Sequence, residues 1–242
     1  MSFTYQDEEA EQVEQPVAQP RQPVPLYTII LIASFAVVAA VQMLTGLDRS
    51  IILAGFDKPA FLRDHQYWRI LTGAAMHGGL LHVGMNGYAF YNFGRIFEML
   101  TNRAHLAIVF LLSAIGGGLL SLALAPTGIS VGASGGIVGL IGYLAVYAFR
   151  RREFISPAFR KNLLINIGFI LVFGLVLYQT IDNFGHIGGL ITGAVYGFVQ
   201  IPGDSTVDPR ETGRVTETLG IASVGIYVAI CAFCILLMLR LV

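Results

Sequence analysis

The chain has 242 residues, of which 55% are hydrophobic and 12% charged. A soluble domain carries about 25% charged residues, so this composition excludes a disordered protein, a nucleic-acid binder and an ordinary soluble enzyme built around one compact core. Fifteen Lys and Arg balance fifteen Asp and Glu, so net charge names no partner, and Cys231 and Cys234, both inside an apolar run, build no disulfide framework.

In chain order, residues 1–25 come first and differ from the rest. Asp7, Glu8, Glu9, Glu11 and Glu14 lie among glutamines and four prolines. Such a segment buries too little apolar surface to offset its ordering entropy, so it reads as a disordered tail. It has neither the basic start nor the short apolar stretch of a cleaved signal peptide. Apolar runs then recur near 26–45, 79–100, 104–125, 133–149, 161–180, 183–201 and 219–241. Each approaches the roughly 20 residues that cross about 30 Å of hydrocarbon, which predicts an all-α polytopic membrane protein with seven spans. A linker covers 202–218, and Asp182-Asn183 marks the turn between the fifth and sixth runs. The stretch 46–78 is too long and mixed to be a simple connection. It predicts short interfacial helices, with Trp68 at headgroup level. No internal repeat is apparent, which argues against a transporter.

Arg150, Arg151, Arg152, Arg160 and Lys161 crowd the connection between the fourth and fifth spans, which places that connection in the cytoplasm. The amino terminus is then cytoplasmic and the carboxyl terminus outside. The cell (plasma or inner) membrane is the expected location.

Polar groups inside spans are costly and default to functional candidates. His82 with Asn86, Ser134 and His186 stand out. Glu98, Arg150 and Pro202 mark the inner ends of their spans, and each separation (98−82, 150−134, 202−186) is sixteen residues. At 1.5 Å per residue, all three groups lie about 24 Å above the cytoplasmic boundary, just under the outer face.

Ser134 lies in Gly132-Ala133-Ser134-Gly135-Gly136, where apolar sequence resumes after Pro126, Gly128 and Ser130. That places it at a helix amino terminus, where free N–H groups can bind a developing anion. A plain helix cap flanked by packing glycines is the competing reading. His186 opens Gly185-His186-Ile187-Gly188-Gly189, and glycines at 189, 193 and 197 form a stripe that could mate with Gly135, Gly139 and Gly142. Such packing would bring His186 within hydrogen-bond reach of Ser134, as a serine nucleophile and its base require. A histidine donating to a backbone carbonyl is the alternative.

His82 and Asn86, four apart on one helical face, can both donate to an oxyanion, or serve as interhelical polar glue. Asp182, four before His186, could orient it as a third triad member, although a capping role suits its position better. With no H-E-x-x-H and no cysteine at this level, neither a metal nor another cofactor is expected. His77 reads as an anchor of the first loop, His65 and His105 as interfacial or surface residues, and Cys231 and Cys234 as packing residues.

Four segments together carry a resemblance: Trp68-Arg69, Met76-His77 through His82-x-x-x-Asn86, Gly132-Ala133-Ser134-Gly135, and His186-x-x-Gly189-x-x-x-Gly193. In order and spacing, from about residue 46 to 200, the chain resembles the rhomboid intramembrane serine proteases. The resemblance implies a six-helix core over 26–201 with one transmembrane helix, 219–242, appended. It implies Ser134 as nucleophile and His186 as base in a dyad that needs no Asp182, and His82 and Asn86 with the Ser134 N–H as oxyanion donors. Trp68 and Arg69 would hold the first loop. Single-pass or other transmembrane protein substrates, cleaved near the outer face of the lipid bilayer, would be the partners. Some members place an aromatic residue four after the serine, where Val138 stands here. The family also contains catalytically silent members that bind membrane clients.

Overall fold

The computed structural model describes residues 24–204 and 206–241. The expected disordered tail lies, up to residue 23, outside the described residues. The helices are α1 (Leu26–Thr45), α2 (Leu47–Ala54), α3 (Lys58–Arg63), α4 (Arg69–Ala75), α5 (Leu80–Leu100), α6 (Arg103–Leu124), α7 (Ser134–Arg150), α8 (Pro157–Val176), α9 (Asn183–Gln200) and α10 (Arg214–Leu239). The chain is an all-α polytopic membrane protein. By length and composition α1, α6, α8 and α10 can each cross a membrane. Between them run α7, a shorter apolar helix, and α5 and α9, which carry the polar and glycine-rich sequence of the site.

Local chemistry sets the helix limits. The Asn102 side chain caps α6 by accepting from the Ala104 N–H, and Ser156 caps α8 through Phe159. Pro157 in the first turn of α8 needs no N–H partner there, so the helix starts at 157 rather than the expected 161 and ends at Val176 rather than 180. α10 begins at Arg214 instead of 219, so the last turn of the expected linker is helical. Gly46, at φ +95°, breaks the chain between α1 and α2.

The loop 46–78 is structured throughout. It contains α2, α3 and α4, plus a two-residue strand β1 (Phe56–Asp57) that pairs antiparallel with β2 (Ile129–Ser130), with Phe56 opposite Ser130. The Arg69 guanidinium, buried, donates to the carbonyls of Ile52 and Gly55 and to Gln66 Oε1, and so ties three parts of this loop together. Its place over the Trp68 ring adds a cation–π contact.

The centre of the molecule is the α6–α7–α9 trio, with α1 and α5 on one flank and α10 against α1, α4 and α6. Phe90, Phe97, Phe110, Leu140, Tyr143 and Tyr227 are among the largest fully buried side chains. His105, expected at an interface or surface, is instead buried. It sits in the first turn of α6 facing α9, where its Nδ1 pairs with the Tyr196 hydroxyl at 2.8 Å. α8 differs from all of these: of its 20 residues only Leu163 and Gly174 are buried.

Candidate active site

The glycine stripe on α9 decides how closely it meets α7. A methyl group added at Gly189 would overlap the Gly135 carbonyl oxygen, one at Gly193 the Gly139 carbonyl, and one at Gly142 the Leu190 carbonyl. On the other side, Gly188 packs onto Gly116 and Gly117 of α6. Backbone therefore touches backbone along the whole trio. This close approach carries the first turn of α9 to the first turn of α7, and His186 Nε2 stands 2.8 Å from Ser134 Oγ. The glycine packing thus brings together two groups that are 52 residues apart.

Ser134 is the first residue of α7, so its N–H belongs to the turn that has no intrahelical acceptor. Before it, Gly132 adopts φ +131°, a conformation that excludes side chains. The reason is visible in its surroundings: a methyl there would lie 2.9 Å from His82 Nε2 and 3.6 Å from Asn86 Nδ2. His82 and Asn86, both on α5, thus face the chain that leads into Ser134. Asn86 Nδ2 is buried and makes no hydrogen bond among the described residues. The Gly78 N–H donates to His82 Nδ1 at 3.1 Å. With Nδ1 accepting, the neutral ring keeps its proton on Nε2, the nitrogen that faces Gly132.

Asp182 does not reach His186 Nδ1, which is buried and unpartnered among the described residues. Its carboxylate instead caps α9, accepting from the Gly185 N–H at 2.9 Å and, through Oδ2, from the Ser121 and Ser130 hydroxyls at 2.6 Å each. Lys58, buried, stands 3.9 Å from the same oxygen. One carboxylate therefore clasps α3, α6, β2 and α9 beside the Ser134–His186 hydrogen bond. Burial opposes its charge, but these hydrogen bonds and Lys58 outweigh burial and hold the carboxyl below the ordinary aspartate range. Sequence reasoning assigned no role to Ser121, Ser130 or Lys58, because nothing in their local spacing signals convergence on Asp182.

A cavity of about 50 Å³ opens beside Ser134 and His186, lined by Phe56, Ile70, Ala114, Gly117, Ser130 and Asp182 among others. It is small, and the first loop forms one wall. Gly132, which faces His82 and Asn86, also lines this cavity. Val138 is buried and aliphatic, so no aromatic ring four residues after Ser134 stacks on the histidine.

The family model of the Rhomboid domain matches residues 64–203, a stretch that contains Ser134, His186, His82 and Asn86. The chain is 32% identical over 151 residues to RHOMBOID-like protein 6, mitochondrial, of Arabidopsis thaliana, covering 62% of this chain and 48% of that protein. It is 28% identical over 196 residues to Rhomboid protease GluP of Bacillus subtilis (strain 168), covering 80% of this chain and 38% of the relative. Inactive rhomboid protein 1 of Papio anubis is 31% identical over 139 residues, 57% of this chain and 16% of that protein. The chain thus spans about half or less of the length of these relatives. Since one family model covers more than half of its residues, the chain belongs to the rhomboid family.

Proposed function

We propose that the chain is an intramembrane serine endopeptidase whose six-helix core, 26–201, carries the chemistry. The observation that supports this most directly is the 2.8 Å hydrogen bond between His186 Nε2 and Ser134 Oγ at the start of a helix. His186 Nε2 takes the Ser134 proton as Oγ bonds to a substrate carbonyl carbon. The carbonyl oxygen becomes an oxyanion, held by the Ser134 N–H, His82 Nε2–H and Asn86 Nδ2–H. Collapse breaks the C–N bond and His186 returns the proton to the leaving amine. Water then attacks the acyl-enzyme ester, His186 again serving as base, and the second fragment leaves.

The substrates of this reading are transmembrane segments of single-pass or other membrane proteins, entering from the lipid bilayer. The site lies at the end of α7 opposite Arg150–Arg152, which supports an outer-face position, a cytoplasmic amino terminus and an outside carboxyl terminus in the cell membrane. The similarity to an inactive rhomboid protein favours a second reading, a catalytically silent protein that binds membrane clients.

One experiment separates the two. The purified chain is reconstituted in liposomes with a panel of single-pass substrates and, in parallel, treated with a fluorophosphonate probe. The protease reading expects cleavage and labelling of the wild type and neither in Ser134→Ala. Equal behaviour of the two forms overturns it and leaves the client-binding reading.

A further inference from the structure

The appended helix α10 touches the catalytic machinery through one hydroxyl. α4 ends at Ala75, and the ordinary helical donors to the Gly73 and Ala74 carbonyls would be the N–H groups of His77 and Gly78. Both are diverted. The His77 N–H donates to Gln42 Oε1 at 3.0 Å, and the Gly78 N–H to His82 Nδ1 at 3.1 Å. The two carbonyls left over find partners from elsewhere in the chain. Gly73 accepts from the Gly132 N–H at 2.9 Å, just before the nucleophile. Ala74 accepts from the Tyr227 hydroxyl of α10 at 3.1 Å.

Tyr227 is held close to this carbonyl, with the Cys231 thiol of its own helix as the other side-chain partner of its hydroxyl. The residue is 0% exposed and its ring lies edge-on to Phe110, which stacks on Phe90 of α5. Nearby, the Trp68 ring meets Phe233 edge-on, and the Cys234 thiol lies 3.9 Å from the Thr72 carbonyl. α10 thus holds the end of α4 at several points, and Tyr227 satisfies the carbonyl whose donor in helical register would be the Gly78 N–H.

We propose that Tyr227 is a positioning residue: by occupying the Ala74 carbonyl, its hydroxyl leaves the Gly78 N–H free to fix His82 in the tautomer and orientation that present Nε2–H to the oxyanion. Without that hydroxyl the Ala74 carbonyl is a buried acceptor with no partner, and the nearest donor in helical register is the Gly78 N–H. Capture of that N–H requires Met76, extended at ψ 157°, to turn helical, and it releases His82 Nδ1. The seventh helix is on this view part of the working unit. The inference rests on the protease reading for its catalytic consequence, although its structural half can be measured without catalysis.

The test compares wild type, Tyr227→Phe, His82→Ala, the double variant and Ser223→Ala, an α10 control whose hydroxyl bonds only to Leu219 of its own helix. In liposomes with a single-pass substrate, Tyr227→Phe lowers kcat about tenfold with KM unchanged, short of the 10²–10³-fold typical for loss of an oxyanion donor. In the His82→Ala background the same change costs less than about twofold, because the group it positions is already gone. Ser223→Ala matches wild type. Imidazole ¹⁵N spectra of the Ser134→Ala chain show His82 as the Nε2–H tautomer, and Tyr227→Phe mixes the two tautomers. Losses that multiply in the double variant, a kcat for Tyr227→Phe equal to wild type, or an unchanged His82 spectrum each overturn the positioning role. A wild type no more active than Ser134→Ala defeats the protease reading, while the ring spectra still decide whether Tyr227 controls His82.

Discussion

Gly189 of α9 faces the carbonyl oxygen of Gly135 of α7 with no space for a methyl group between them. Gly135 directly follows Ser134 and Gly189 lies three residues after His186, so the separation of the two backbones sets the separation of the hydrogen-bonded side chains.

Gly189→Ala forces α7 and α9 apart where neither backbone can yield. Overpacking of this kind costs about 1–3 kcal/mol of stability. The expected outcome is a lower melting temperature in detergent together with loss of fluorophosphonate labelling at Ser134. Labelling at the wild-type rate would show that the helix spacing does not control the dyad.

On the proposed mechanism, His82→Ala and Asn86→Ala each remove one donor to the oxyanion. Each should reduce kcat by roughly 10²–10³-fold with a small change in KM, since the bond forms in the transition state. The double variant should lose less than the product of the two, because both donors serve one oxygen. Steady-state kinetics on a reconstituted single-pass substrate checks this.

Asp182 supplies a test that separates a triad from a clasp. Its folded-state pKa is depressed, so its contribution to stability is present above the unfolded value of about 3.9 and is lost as pH falls through the folded value. Thermal unfolding of the wild type should lose stability as pH is lowered toward 3, by more than Asp182→Asn does. At neutral pH, Asp182→Asn should melt earlier yet retain labelling of Ser134 once folded. A loss of kcat as deep as that of His186→Ala, in a folded protein, would instead give Asp182 a direct part in the chemistry.

Arg69→Lys should loosen the first loop. A lysine cannot reproduce the planar fork that meets the Ile52 and Gly55 carbonyls and Gln66 at once. Faster proteolysis or amide exchange within 46–78, with α6, α7 and α9 unchanged, is the expected result.

The helices were legible in the sequence as apolar runs, four of them long and apolar enough to cross a membrane, and their limits missed by a few residues where a cap or proline decides them, as at Ser156-Pro157. The meeting of Ser134 with His186 was legible through glycine spacing, a pattern that fixes depth and facing together. His105 was misplaced because its partner, the Tyr196 hydroxyl, is 91 residues away and leaves no local trace. The Asp182 clasp and the Tyr227 bond share that property. Each joins elements of the long first loop to distant helices, and only the folded chain shows which carbonyls and hydroxyls are left over.

The bare surface of α8 has an experimental consequence. Most of its side chains are exposed, and its contacts run to α7 and α9, where the Asn183 amide donates to the Gly174 carbonyl. A micelle and a bilayer meet that surface differently, while the glycine contacts among α6, α7 and α9 lie inside the protein. On the proposed function, rates obtained in detergent and in vesicles should differ most through α8, the long apolar helix with the fewest buried residues.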